Sequence, residues 1–171
     1  MNTSQEPLRE GFRRIFRRHV AGVTVVTYDE GGAPGGFTAT SVISVAAAPP
    51  AIAFAVSAGS AAGQALRSVD SVCVNFLDDE RSDIATRFAA RGADRFAEGG
   101  YRLLPGGEPV LVAASAWLRA EVIDRVPVSE SMLIIARVAQ VSAAEHPVAQ
   151  PSPLVYLNRT YRKLAELDER E

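Results

Sequence analysis

Short β-branched and apolar runs recur along this chain with no regular strand–helix alternation, and that pattern narrows its possible folds most. Strand-like stretches cover Gly22–Tyr28, residues 37–46 and 51–57, residues 72–77, Ala116–Val126, Met132–Ala143 and Leu154–Leu157. Val, Ile, Thr and aromatic side chains suit a pleated, half-buried backbone. Helical patterns are few: residues 6–18, Ser60–Leu66, Asp78–Arg91 and Tyr161 to about Leu167. Such an order predicts a mainly β protein, a closed antiparallel barrel with a few short helices. The 171 residues, 47% apolar and 22% charged, suffice for one domain with a real core, residues 1–171.

Local signals refine this reading. Asp29–Gly36 holds four glycines and one proline, which predicts a hairpin turn. Ser60 is placed to cap a short helix by accepting from free amides of its first turn. Ile84 and Phe88 form the apolar stripe of the helix that Gly92 ends, and residues 93–109 read as loop. In the first helix Arg9, Arg13, Arg14, Arg17 and Arg18 form a wet face opposite Leu8, Phe12, Ile15 and Phe16.

Several function classes fall away. A net charge of −2 does not suit a dedicated nucleic-acid binder, which needs a basic surface. One cysteine, Cys73, excludes an intrachain disulfide, and with two distant histidines there is no zinc spacing. No apolar run reaches the length of a membrane span and no signal peptide is visible, so a soluble, cytoplasmic protein is expected. Gly31–Gly36 opens no helix and is no dinucleotide fingerprint. Carboxylates are scattered, and no acid–base pair can be assembled.

The stretch that carries chemistry is Gly36-Phe37-Thr38-Ala39-Thr40-Ser41, closed downstream by Pro49-Pro50. Small hydroxyls and accessible amides suit a flat, oxygen-rich cofactor with a phosphorylated tail. Hydride transfer from a nicotinamide to a flavin needs no protein nucleophile or general acid. It needs stacked rings, exclusion of water and donors to the electron-rich ring edge. A chain poor in His and Cys can do this.

From about Phe12 to Leu164 the sequence resembles the flavin reductase component of two-component flavin-dependent monooxygenases. The resemblance runs through Gly22–Thr24, Gly36–Ser41, the double proline, Ser57–Ala62 and Val72–Leu77. It continues through Asp83–Ala89 with Asp94-Arg95-Phe96, and ends on Pro153–Tyr156 and Tyr161-Arg162. It implies a homodimeric, FMN-binding split barrel that reduces FMN or FAD with NADH or NADPH and supplies a separate monooxygenase. On that resemblance Thr38, Ala39, Thr40 and Ser41 line the flavin ring and ribityl chain. Ser57 and Ser60 sit near its phosphate, with Arg87 and Arg95 as candidate phosphate cations. Asn75 is placed to reach the ring's polar edge, and Tyr161 to close the pocket. Ala62 stands where the family often has threonine. Where the family usually carries Gly-Asp-His, this chain has Ser129-Glu130-Ser131, so Ser131 takes the position associated with the nicotinamide. Alternatives are a flavin-binding split barrel without efficient nicotinamide chemistry, and a flavin-dependent oxidoreductase of another organic substrate.

Overall fold

The computed structural model describes residues 6–142 and 152–164. In chain order its elements are α1 (Glu6–Phe16), β1 (Ala21–Gly22), β2 (Thr24–Glu30), β3 (Ala33–Ala39), β4 (Ile43–Ala47) and β5 (Pro50–Ser57). Then come α2 (Ala61–Ala65), β6 (Ser71–Phe76), α3 (Ser82–Ala89), β7 (Tyr101–Leu103) and β8 (Pro109–Leu111). The long β9 (Ala116–Val128) and β10 (Ser131–Val141), then β11 (Leu154–Leu157) and β12 (Thr160–Lys163), complete the set.

Seven strands form one antiparallel sheet in the order β3-β2-β6-β9-β10-β5-β4. The sheet curls until β3 faces β5: the Phe37 and Phe54 rings lie 6.2 Å apart across the gap. No ladder joins those two strands, so the barrel is split there. Inside it Val26, Phe54, Leu66, Val72, Val74 and Ile134 are fully buried. Each such side chain contributes roughly 1.5–3 kcal/mol of burial free energy. A second cluster, around Val25, Leu77, Phe88 and Leu154, fixes α3 to the outside of the barrel.

Three local readings of the sequence are corrected. Only Gly31 and Gly32 form the turn after β2, both at positive φ in a two-residue hairpin. Gly35 and Gly36 lie inside β3. A Cβ at Gly35 would fall 2.2 Å from the Tyr28 ring, so glycine there lets the ring pack flat on the strand. The stretch 37–46 is not one strand but β3 and β4, because the chain must cross from β2 to the far side of β5. Residues 93–109 hide a small hairpin, β7 with β8, too short to show periodicity.

The chain end also differs. Tyr161 lies in β12, opposite Tyr156 of β11, not in a helix, because Asn158 and Arg159 at positive φ turn the chain back on itself. Residues 143–151, and the part of the expected closing helix beyond Leu164, lie outside the described residues. Helix α3 starts at Ser82 rather than Asp78, since Asp78 bridges Pro153 instead. Among the described residues no helix is long and apolar enough to cross a membrane.

Candidate functional site

The split between β3 and β5 opens into a cleft of about 910 Å³, at the upper end of the ~300–1,000 Å³ usual for small-molecule sites. Thr38, Ala39, Thr40 and Ser41 form one wall, Ser57 and Ser60 the opposite one, and Phe88, Arg91 and Arg95 the end near α3.

Most of the hydroxyls hold the walls in place. Thr38 Oγ1 donates to the Ala85 carbonyl at 2.6 Å and ties β3 to α3. Ser41 Oγ donates to the Ala55 carbonyl at 3.1 Å and accepts the Ala55 amide at 3.0 Å, bridging the split by a side chain. Ser60 Oγ accepts from the Gly63 amide at 3.0 Å as the α2 cap and donates to the Ser57 carbonyl at 2.7 Å. Gly63 is required here: a Cβ would fall 2.1 Å from the Ser57 carbonyl oxygen. Ala39 is buried, its carbonyl taken by Thr24 Oγ1 at 3.2 Å.

What remains free faces the open cleft. Among the described residues the Thr40 and Ser57 side chains hydrogen-bond to nothing, and the first two amides of α2, Ala61 and Ala62, have no acceptor. Arg91 makes no ion pair there. Arg95 is partly committed: Nε donates to the Phe88 carbonyl at 3.0 Å and Nη2 to the Ala90 carbonyl at 2.7 Å. It therefore closes the C-terminal end of α3, where a cation is favoured, and keeps Nη1 uncommitted.

Four residues singled out from the sequence do not line the cleft. Asn75 is fully buried in the barrel wall. Both its amide hydrogens are used, on the Val25 carbonyl at 3.1 Å and Thr27 Oγ1 at 3.0 Å, and its oxygen accepts the Leu111 amide at 2.9 Å. Arg87 is turned to Glu98 and lies 5.8 Å over the Phe88 ring. Tyr161 packs on Tyr156, ring centroids 5.3 Å apart; burial, then Tyr156, raises its phenol pKa. Ser131 begins β10 directly opposite Ser57, beside the cleft. Sequence reasoning missed Arg91, whose one signal is a cation just before Gly92, which ends the α3 segment at positive φ.

A split antiparallel barrel whose opening is walled by hydroxyls and tipped by guanidiniums defines a class: a binder of flat, phosphate-tailed cofactors. Sequence comparison is specific within that class. Residues 16–165 match the flavin reductase like domain, and the chain belongs to that family. It is 38% identical over 159 residues to an NADH:FMN oxidoreductase of Rhodococcus erythropolis, covering 92% of this chain and 83% of the relative. It is 26% identical over 150 residues to HsaB, the reductase subunit of a flavin-dependent monooxygenase of Mycobacterium tuberculosis, covering 88% of this chain and 79% of HsaB. The crystal structure of a flavin reductase domain protein from Arthrobacter sp. FB24 superposes with a TM-score of 0.88 at 30% identity, covering 95% of this chain and 99% of that one.

Proposed function

We propose that the chain is an NAD(P)H:flavin oxidoreductase that reduces FMN or FAD and passes the reduced flavin to a separate flavin-dependent monooxygenase. The observation that carries this is the cleft in the barrel split, whose free donors match a flavin and its tail. A bound flavin supplies the ring that accepts hydride from the nicotinamide. The chain's residues do the rest. Thr40, Ser57 and the Ala61 and Ala62 amides offer hydrogen bonds, while Arg91 and Arg95 supply the charge that a phosphate needs. Phe37 and Phe88 give the cleft apolar surface on which a ring can pack. No acid–base pair is required, and none lines the cleft.

The working unit is a homodimer. Helix α1 has eleven residues and buries none of them, and Leu8, Phe12, Ile15 and Phe16 are each more than half exposed. A lone helix of that length is marginal in water. Edge strand β4 is exposed along its whole length, with Ile43 and Val45 outward. Such an apolar helix face and open edge call for a partner surface, and a second copy is the simplest. A cytoplasmic setting, where dinucleotide donors are abundant, belongs to the same reading.

Anaerobic mixing of the purified protein with FMN or FAD and NADH or NADPH tests the activity by bleaching of flavin absorbance. Bleaching is expected with at least one pair. No bleaching with any would overturn the assignment and leave a flavin-binding barrel without nicotinamide chemistry.

A further inference from the structure

A second hollow, about 490 Å³, lies between α1 and the β11–β12 hairpin and shares Thr40 and Ser41 with the main cleft. Arg13 and Arg17 enter it from the helix side and Arg159 from the hairpin. No carboxylate lines it, and none of these guanidiniums pairs with a carboxylate among the described residues. In a chain of net charge −2, three cations gathered with no counter-ion among the described residues favour an anion there.

The hairpin gives an independent reason. Its two-residue turn has Asn158 at φ 50° and Arg159 at φ 64°. The left-handed region is easy for glycine and tolerable for asparagine, but a long side chain is strained there. The turn alone calls for glycine at 159. An arginine held there against its backbone preference points to a role for the side chain. The turn is fastened to the helix side, because the Asn158 amide donates to the Arg17 carbonyl at 2.9 Å. Half-buried Tyr156 offers an aromatic ring to a planar group in the same hollow.

We propose that this hollow takes the phosphate-bearing adenosine end of a dinucleotide, with Arg13, Arg17 and Arg159 on its phosphates. Thr40 and Ser41 are the shared wall across which the redox end reaches the main cleft. The inference rests on the flavin reductase reading and deepens it. Either the nicotinamide donor or FAD carries this chemistry, and the two sources separate experimentally.

Calorimetric titration of the flavin-free protein with ADP, and with adenosine as control, reads the site without redox turnover. ADP binding that weakens with added salt is expected, with roughly tenfold loss in Arg159→Gly and in the double variant Arg13→Gln/Arg17→Gln. Arg159→Gly keeps the fold, since glycine suits the turn, and FMN affinity is unchanged in it. A rise in KM for NADH or NADPH with kcat held assigns the site to the donor. A loss of FAD affinity with those KM values held assigns it to FAD. No ADP binding by the wild type, equal ADP binding by wild type and both variants, or an equal loss of FMN affinity would overturn the proposal. Failure of the parent reading shows separately, as absence of flavin bleaching in the wild type.

Discussion

The Ser41 hydroxyl stands in for a missing backbone rung against Ala55, donating to its carbonyl at 3.1 Å and accepting its amide at 3.0 Å. That pair holds the two lips of the barrel split at a fixed separation. In Ser41→Ala both Ala55 groups lose their partner. The expected cost is about 1–2 kcal/mol in chemical denaturation, with weaker FMN binding because the lips are no longer held. Ser41→Thr, which keeps the hydroxyl, should recover both. A variant Ser41→Ala as stable and as tight-binding as the wild type would show the bridge is idle.

Arg91 and Arg95 separate by their commitments. Arg91→Ala should weaken FMN by about 1–3 kcal/mol, the scale of a hydrogen bond to a charged group, and leave riboflavin affinity and Tm alone. Arg95→Ala removes the guanidinium from the Phe88 and Ala90 carbonyls. It should lower Tm and weaken both FMN and riboflavin, FMN the more because Nη1 is free to serve the phosphate. Parallel flavin fluorescence titrations decide between the two patterns.

Ser131 faces Ser57 across the β10–β5 pair, and directly opposed residues share a face of a sheet. A ring placed there lies beside the cleft wall. Ser131→His should lower KM for the dinucleotide and leave FMN affinity unchanged, because it adds binding common to ground and transition states. Steady-state kinetics with the donor varied checks this; an unchanged KM counts against a nicotinamide contact at 131.

Gly63→Ala brings a methyl to 2.1 Å from the Ser57 carbonyl oxygen, a backbone atom that cannot swing away. Helix α2 must shift, so stability and FMN affinity should both fall. Gly59→Ala meets nothing within 4 Å and should leave the melting temperature where it is. Equal melting curves for Gly63→Ala and the wild type would refute the close approach.

The alkaline limit of stability follows from Cys73. Burial first, and Glu108 next, push its thiol up to about 12 from 9.0. Below pH 9 the thiol is protonated in both folded and unfolded chains, and its contribution to stability is fully present. Between about pH 9 and 12 only the unfolded chain ionises, so folding stability falls as pH rises. Tyr28 and Tyr161, both raised chiefly by burial, act in the same direction. At pH 8 Cys73 should react with a thiol reagent only after denaturant is added.

The strand content and the α2 cap were legible in the sequence, since each depends on neighbours within a few residues; Thr38–Ser41 was assigned to a flavin only through the family resemblance. Asn75, Arg87 and Tyr161 were not assignable, because the choice between cleft and core is made by distant partners: Val25 and Leu111 for Asn75, Glu98 for Arg87, Tyr156 for Tyr161. The Thr38, Ser41 and Ser60 hydroxyls were placed at the cleft but not their tasks. A hydroxyl's pattern in sequence is the same whether it meets a ligand or a carbonyl across the sheet. Arg91 escaped notice because only the end of α3 at Ala89 turns it toward the opening.

The bare apolar side of α1 has a kinetic meaning. That helix forms one wall of the Arg13–Arg159 hollow, so whatever steadies the helix also shapes the hollow. If a second copy does so, turnover per molecule depends on how much enzyme is in the cuvette. Dilution past the dissociation point should bring a lag on mixing and a falling specific activity, both reversed by adding an excess of Arg91→Ala protein, which binds FMN weakly but still pairs.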